Sequence, residues 1–165
     1  MKKLYLVRHA KSSWEDSSLS DLQRPLNKRG MKNAPEMGQR LADAGVKIGR
    51  IISSPANRAL STARSLAVAL DYPEDDIVVN DDLYFHGLNS MLDIIHRTDH
   101  RLQTLMLVGH NPDMTEMLNS LCGYQVDNMP TCAVACMSFE GGWAEIDYDG
   151  CELQNYNMPK NPPQF

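Results

Sequence analysis

Short runs of apolar residues end abruptly in polar residues along this chain, and this pattern predicts its strands. Leu4 to Val7 is such a run, rich in strand-forming residues, and Arg8 and His9 follow it directly. The runs at 51–52 and 104–108 end in the same way, in two serines and in a glycine and a histidine. We therefore predict three buried strands whose carboxyl ends carry polar side chains to one edge of a sheet.

Helical and strand periodicities alternate over the rest of the chain. The predicted helices cover residues 26–45, 56–70, 89–98 and 112–121, and the further strands cover residues 77–79, 133–139, 144–148 and 152–156. Asp149 and Gly150 are a hairpin signal between the last two strands, so the sheet is expected to be mixed. We predict one α/β domain over residues 1–165, with an irregular, proline-rich tail from about residue 157.

The first long helix carries its own start and stop signals. Asn27 is the predicted N-cap and Gly45 the predicted stop. Its predicted buried face consists of Met31, Ala34, Met37, Leu41 and Ala42. Pro35 implies either a kink or a short first turn followed by a second helix start.

Two further helix starts are predicted beside the polar strand ends. Ser54 is a good N-cap, and Pro55 suits the first helical position. Asn111 and Pro112 repeat this pattern after the strand at 104–108. Two helix N-termini, which are the positive ends of the helix dipoles, would then face the same edge of the sheet.

Four basic side chains are predicted to meet at that edge, namely Arg8, His9, Arg58 and His110. The first two alone could be a solvated charge and a loop histidine, but the repeated layout favours a site. Arginine forks match phosphate oxygens, and nearby cations keep an imidazole neutral and nucleophilic. The set therefore predicts phosphoryl transfer through a phosphohistidine intermediate. We expect no metal and no cofactor, because arginines repel a divalent cation and no carboxylate stands at ligand spacing.

Three motifs together resemble the histidine phosphatase superfamily. They are Val7-Arg8-His9-Ala10, Ser53-Ser54-Pro55 with Arg58-Ala59, and Val108-Gly109-His110-Asn111-Pro112. With its short length and the segment Arg24-Pro25-Leu26-Asn27-Lys28-Arg29-Gly30, the chain is similar to the SixA-type phosphohistidine phosphatases. The resemblance implies a three-layer α/β/α sandwich of the phosphoglycerate mutase type, with a central, mostly parallel mixed sheet. It also implies that His9 accepts the phosphoryl group, that Arg8 and Arg58 bind its oxygens, and that His110 stabilises the group in transfer.

Two departures from the family pattern bear on the substrate. Ala10 stands where many members carry glycine, and no carboxylic acid is clearly placed to protonate a leaving group. Asp81 and Asp82 lie near a strand end, and Tyr84 and His86 are the other candidates. An imidazole, whose conjugate acid has a pKa of about 6.5, leaves easily, whereas an alkoxide needs a positioned acid. The missing acid thus favours a phosphohistidine substrate; the alternative is an acid elsewhere in the chain.

Three polar side chains after His9 are candidates for secondary phosphate contacts, with plain solvent exposure as the alternative. They are Lys11, Ser12 and Ser13. Trp14 is either a lid over the pocket or a packing anchor. Asp21 and Arg24 are spaced to form a local ion pair before the first long helix.

Composition narrows the partners and the compartment. The net charge of −5 argues against a nucleic-acid partner, which needs a basic face. No apolar run reaches membrane length, and Met1 to Val7 is too short for a signal peptide. The four cysteines lack zinc-site spacing and are interpreted as free thiols of a cytoplasmic protein.

The function that these observations favour is hydrolysis of phosphohistidine on a phosphorylated protein. One alternative is a phosphatase acting on small phosphate monoesters. The other is a catalytically inactive module that binds phosphate or a phosphopeptide. A histidine placed as a nucleophile argues against the inactive module, because binding alone does not require one. The sequence leaves the oligomeric state open.

Overall fold

Strands and α-helices alternate along residues 1–162, which are the residues that the computed structural model describes. The strands are β1 (Lys2–Arg8), β2 (Arg50–Ser53), β3 (Val78–Val79), β4 (Thr104–Gly109), β5 (Val134–Phe139) and β6 (Glu152–Asn157). The helices are α1 (Lys28–Asp43), α2 (Asn57–Ala69), α3 (Gly87–His96) and α4 (Asp113–Cys122). The four predicted helices are thus confirmed, with slightly shifted ends. Residues 158–162 form no helix or strand, and the rest of the predicted irregular tail, 163–165, lies outside the described residues.

The strands form a six-stranded sheet in the order β3-β2-β4-β1-β5-β6. β1 pairs in parallel with β4, β4 with β2, and β2 with β3, whereas β5 is antiparallel to both β1 and β6. The predicted mixed sheet is therefore confirmed. Because the central strands are parallel, β1, β2 and β4 all end at the same edge, with Arg8, Ser53 and Gly109 as their last residues.

The predicted strand at 144–148 is wrong. Trp143–Glu145 forms a turn of 3-10 helix, and Trp143 and the residue that follows the turn, Ile146, are both buried. The apolar pattern of this segment therefore reflects packing of two side chains of a turn rather than strand pairing. Because β6 pairs directly with β5, Asp149 and Gly150 do not join a hairpin of the two last predicted strands.

Two helices cover each face of the sheet, which gives three layers. Successive residues of β1 point to opposite faces, as the pleat requires. Tyr5 and Val7 pack in one apolar cluster with the buried residues of α1 and α2. Leu4 and Leu6 pack in the other, with those of α3 and α4. None of the helices within residues 1–162 is both long and apolar enough to cross a membrane.

Helix α1 supports the loop that follows β1. Asn27 is its N-cap, as predicted, and accepts a hydrogen bond from the backbone N–H of Gly30 at 2.8 Å. The helix continues through Pro35, so the predicted alternative of a second helix start is wrong. Met31, predicted to be buried, is 58% exposed, because the buried position of the first turn is taken by Gly30 against the backbone of Lys11.

Helices α2 and α4 begin later than predicted. Ala56 and Pro112 occupy their N-cap positions, so the assignment of Ser54 and Asn111 as N-caps is wrong. The Ser54 hydroxyl instead contacts His110 and accepts a hydrogen bond from the Ala56 N–H. The Asn111 side chain accepts one from a backbone N–H inside α4. Both polar side chains are therefore used to shape the edge of the sheet.

Candidate active site

The four predicted basic residues line one pocket of about 260 Å³ at the carboxyl edge of the parallel strands. Arg8 ends β1 and His9 follows it, while His110 follows β4. Arg58 is the second residue of α2, which comes directly after β2. The pocket is lined by Arg8, His9, Lys11, Ser12, Trp14, Asp21, Arg24, Arg58, Phe85, His110, Asn111 and Thr131.

The His9 ring is buried and held in one tautomer. Its Nδ1 lies 2.7 Å from the carbonyl oxygen of Ala10, and its side chain is 7% exposed. A carbonyl only accepts, so Nδ1 carries the proton and Nε2 the lone pair. Burial, together with the Arg58 and Arg8 charges, lowers the pKa of His9 to about 4, although the hydrogen bond to Ala10 opposes this shift. At neutral pH the ring is therefore an uncharged base.

The His110 ring stands beside it, with its centroid 5.1 Å from that of His9. Its Nδ1 lies 3.4 Å from an Arg58 nitrogen, and its Nε2 lies 2.8 Å from the Ser54 hydroxyl oxygen. Since a guanidinium only donates, Nδ1 accepts and Nε2 carries the proton. Burial, together with the neighbouring His9 and Arg58, lowers the pKa of His110 to about 3. Both histidines are thus neutral at pH 7.

Arg8 brings an unsatisfied donor to the pocket. One of its terminal nitrogens donates to the Met129 carbonyl oxygen at 2.9 Å. Its Nε is buried and has no hydrogen-bond partner among the described residues. A buried donor without a partner costs free energy, and an anionic ligand would remove that cost.

Asp21 ties several parts of the site together. Arg58 donates to its backbone oxygen at 2.7 Å and to its carboxylate at 3.0 Å. Arg24 also donates to the carboxylate at 3.0 Å, and Tyr84 donates through its hydroxyl at 2.6 Å. Burial alone would raise the pKa of Asp21, but the hydrogen bonds from Tyr84, Arg58 and Arg24 lower it to about 2. The carboxylate is therefore ionised at neutral pH.

Arg24 fixes the loop that follows His9. Its guanidinium donates to the Ser12 hydroxyl and to the Ser13 carbonyl oxygen, and it lies over the Trp14 ring at 3.2 Å. The Trp14 ring is 73% exposed and lines the pocket. The predicted ion pair of Arg24 with Asp21 forms at 3.0 Å. The tryptophan is thus a wall at the pocket mouth that the arginine holds in place.

The secondary candidates from the sequence separate into two groups. Lys11 and Ser12 line the pocket, whereas Ser13 and Tyr84 do not and act through their bonds to Arg24 and Asp21. His86 lies outside the pocket, where its Nδ1 is 3.1 Å from the Asp82 carboxylate. The candidate acids Asp81 and Asp82 also lie outside the pocket lining.

Several pocket residues were not predicted from the sequence, among them Asp21 as a ligand of Arg58, and also Phe85, Asn111 and Thr131. Phe85 has a left-handed backbone with φ of 60°, and its ring lies 4.5 Å from that of His110. The i,i+3 spacing of Asp21 and Arg24 signals their own pairing only. Their contacts with α2 and with the segment after β3 join distant parts of the chain, which no local pattern encodes.

Comparison with known proteins identifies the family of this chain. A family model for the histidine phosphatase superfamily (branch 1) matches residues 4–84. An uncharacterised chloroplastic protein of Arabidopsis thaliana is 31% identical over 155 residues, which cover 87% of this chain and 70% of that protein. An uncharacterised protein of Mycobacterium tuberculosis is 26% identical over 164 residues, covering 93% of this chain and all of that protein (100%).

Solved structures give the same family. A protein from Agrobacterium tumefaciens assigned as the phosphohistidine phosphatase SixA superposes with a TM-score of 0.80 at 28% identity, covering 96% of this chain and 98% of that one. The protein histidine phosphatase SixA in complex with tungstate shares the fold, with a TM-score of 0.81 at 20% identity over 95% of this chain and 97% of that one. The chain belongs to the histidine phosphatase superfamily and has the α/β fold of its SixA and phosphoglycerate mutase-like members.

Proposed function

We propose that this phosphatase hydrolyses phosphohistidine on a protein, through a covalent phosphoryl intermediate on His9. The observation that carries the proposal is the state of the His9 ring. It is neutral, its Nδ1 proton is engaged by the Ala10 carbonyl, and its Nε2 keeps the lone pair in a pocket with two arginines. An imidazole in this state can attack phosphorus.

In the first step, His9 Nε2 forms a bond to phosphorus as the substrate's own P–N bond breaks. His9 keeps its Nδ1 proton, and the positive charge that the phosphorylated ring gains is met by the Ala10 carbonyl. A substrate imidazole that is protonated on its other nitrogen leaves as a neutral ring. Charge and protons therefore balance without a proton from the enzyme.

In the second step, water attacks phosphorus, the P–Nε2 bond breaks and inorganic phosphate leaves. The water gives up one proton to the solvent, and His9 returns to its neutral tautomer. The three transferring oxygens need donors throughout both steps. Arg58 and the unpaired Nε of Arg8 are donors that can serve them.

The role proposed for His110 requires a proton that the neutral ring lacks at Nδ1, where it accepts from Arg58. A phosphoryl dianion in the pocket raises the pKa of a nearby imidazole, because opposite charge favours the protonated form. His110 would then gain a proton when substrate binds and become a donor to it. The Ser54 hydroxyl would hold the ring through Nε2 during this change.

The phosphohistidine substrate is favoured over an ester by the charge state of the pocket carboxylate. Asp21 lines the pocket, but its pKa of about 2 leaves it without a proton to donate at pH 7. An alkoxide leaving group needs such a proton, whereas an imidazole does not. The site is thus suited to a leaving group that departs unaided.

We further propose that turnover needs no metal ion. Guanidinium groups of Arg8 and Arg58 neutralise the phosphoryl oxygens that a divalent cation would otherwise bind. Within residues 1–162, no three His, Cys, Asp or Glu side chains are grouped closely enough to hold a metal ion. Activity is therefore expected to persist in a chelator.

The cysteines support our proposal of a reducing compartment, the cytoplasm. All four are free, and Cys132, Cys136 and Cys151 are buried. Burial raises the pKa of the Cys132 and Cys151 thiols to about 12, so they remain protonated and unreactive. Cell fractionation tests the proposed compartment. Recovery of the protein in an organelle would contradict the proposal; the Arabidopsis relative is named as a chloroplastic protein.

A substrate comparison in the presence of EDTA tests the function. We expect the purified protein to cleave a phosphohistidine peptide at least about a hundredfold faster, in kcat/KM, than a phosphoserine peptide of the same sequence, because a general acid contributes about 10²–10⁴-fold. The kcat/KM for an activated aryl phosphate should be closer to that for the phosphohistidine peptide than to that for the phosphoserine peptide. The His9→Ala variant is the control, because any loss of phosphohistidine in its presence measures the spontaneous hydrolysis of this labile group.

Other outcomes select the alternatives. Equal rates on both peptides would replace the proposal by a phosphatase for phosphate monoesters. Tight binding of inorganic phosphate without turnover of any of the three substrates would indicate the inactive binding module. Activity that returns only with added divalent metal would contradict metal independence.

A further inference from the structure

A second cleft adjoins the active-site pocket, and we call it the α1 cleft. It has a volume of about 530 Å³. It is lined by Arg29, Lys32, Asn33, Glu36, Pro130, Thr131, Met158, Pro159 and Lys160. Thr131 also lines the active-site pocket, so the two depressions adjoin at this residue. A substrate segment that flanks a group bound in the pocket therefore lies within reach of the α1 cleft.

The α1 cleft is basic on a protein that is acidic overall. Its lining carries three cations, Arg29, Lys32 and Lys160, against the single carboxylate of Glu36, while the chain has a net charge of −5. None of these three cations forms an ion pair with any side chain of residues 1–162. Their charge is thus available to a partner.

The walls of the α1 cleft are built by secondary structure and by a fixed segment. Arg29, Lys32 and Glu36 are spaced by three and four residues, so they lie on one face of α1. The opposite wall follows β6 and is held by Arg40, which donates to the carbonyl oxygens of Met158 at 3.0 Å and Pro159 at 2.9 Å. These bonds place Lys160 across the cleft from α1.

We propose that the α1 cleft binds an acidic segment of the phosphorylated protein beside its phosphohistidine. This rests on the proposed function of the adjoining pocket and names the substrate class more closely. Charge complementarity next to an anion-binding pocket favours a partner with carboxylates near the phosphoryl group. The lining contains prolines and a methionine but no aromatic ring, so it lacks the stacking platform that single-stranded nucleic acid requires.

The test uses two phosphohistidine peptides that differ only in four flanking residues, which are glutamate in one and glutamine in the other. We expect the wild type to cleave the glutamate peptide at least about fivefold better in kcat/KM at low salt, through a lower KM. The preference should vanish in 1 M NaCl, where the Debye length is about 3 Å. Arg29→Glu, Lys32→Glu and Lys160→Glu together should abolish or reverse it at low salt, with aryl phosphate turnover unchanged.

A matched triple variant controls for the change in net charge. Lys3→Glu, Lys47→Glu and Arg64→Glu alter three exposed cations that do not line either depression and should keep the preference. Equal cleavage of the two peptides by the wild type, or equal loss in both triple variants, would overturn the α1 cleft proposal and leave the proposed function standing. Stronger competition by an oligonucleotide than by the glutamate peptide would overturn it as well. Failure to cleave either peptide while the aryl phosphate is cleaved would overturn both proposals.

Discussion

The ring of His9, the proposed nucleophile, is kept neutral by its surroundings rather than by a neighbouring base. Burial holds the pKa of the ring near 4, and a single carbonyl, that of Ala10, selects the tautomer. The same cations that would bind the phosphoryl oxygens also disfavour a protonated ring. In the proposed mechanism, substrate binding and activation of His9 are therefore two consequences of one charge arrangement.

Replacing the nucleophile tests this interpretation directly. His9→Ala should reduce kcat on an aryl phosphate by at least about a hundredfold, because covalent catalysis is lost as a whole. The fold should survive, since His9 follows the end of β1 and its replacement removes only the hydrogen bond to the adjacent Ala10 carbonyl and the ring contact with His110. His100→Ala, which changes an exposed histidine away from the pocket, is the control. Retention of activity in His9→Ala with normal circular dichroism would exclude the covalent mechanism.

Asp21 has two opposing effects on an anionic substrate. Its ionised carboxylate orients Arg58, but its charge also repels a phosphoryl dianion. Asp21→Asn should therefore lower kcat by about tenfold, as expected for loss of a charge-assisted hydrogen bond, while inorganic phosphate inhibits at lower concentration. Asp16→Asn changes an exposed carboxylate of the same loop and is the matched control. A fall in both kcat and phosphate affinity would show that Asp21 serves only to maintain structure.

Contact between α1 and the loop after β1 determines where the pocket wall lies. The Lys11 carbonyl oxygen accepts from the backbone N–H of Asn27, and it sits where a side chain on Gly30 would begin. A Cβ added to Gly30 would lie 2.2 Å from that oxygen. Glycine is therefore required for this close approach rather than for an unusual backbone angle.

A methyl group at this contact should affect both stability and activity. Gly30→Ala must displace the Lys11 backbone, so we expect a loss of about 1–3 kcal/mol in the free energy of unfolding, typical of overpacking. The catalytic efficiency should fall with it, because Lys11 and Ser12 line the pocket. Urea denaturation and aryl phosphate kinetics measure the two effects.

Gly142→Ala supplies the comparison, since an added Cβ would come no closer than 3.4 Å to another residue. It should change the free energy of unfolding by less than about 0.5 kcal/mol and leave kcat unchanged. Similar losses in both variants would mean that the contact with Lys11 does not explain the result.

Local sequence signals predicted the structure correctly where no tertiary contact competed with the local preference of a residue. The α1 N-cap Asn27 is an example, because its side chain bonds to no element other than α1 among residues 1–162. Ser54 looked like an equally good cap, yet its hydroxyl lies against His110, a residue 56 positions away. Met31 fits the apolar face of α1 by spacing but is displaced by the approach of Lys11. These errors all arise where a tertiary contact overrides a local preference.

The sheet order explains why the site could be predicted from motifs while its supporting bonds could not. β2, β4 and β1 are adjacent and parallel, so residues at their carboxyl ends meet whatever the loops do. Apart from the locally predicted Arg24, the hydrogen-bond donors to Asp21 come instead from the start of α2 and from Tyr84 after β3. These hydrogen bonds form only when loops that are distant in sequence pack together, and the residue pattern at the strand ends does not predict that packing.

The fold also couples the site to the stability of the whole molecule through its two buried histidines. In the folded protein their pKa values are lowered to about 4 for His9 and about 3 for His110, from 6.5 for an ordinary histidine. Below pH 6.5 the unfolded chain therefore binds protons that the folded protein excludes. The stability contributed by keeping these rings neutral is fully present above pH 6.5 and is lost progressively as the pH falls.

Unfolding measured by urea between pH 8 and pH 5 tests this coupling. The free energy of unfolding should fall on acidification below pH 6.5, with a slope that approaches about 1.4 kcal/mol per pH unit for each of the two rings near pH 5. Asp21, with its pKa lowered from 3.8 to about 2, contributes only at lower pH, so this window isolates the histidines. His9→Gln should remove about half of the slope, and the double variant with His110→Gln most of it. An unchanged slope in the double variant would mean that the two rings are not buried and neutral, and it would contradict a neutral His9 as nucleophile.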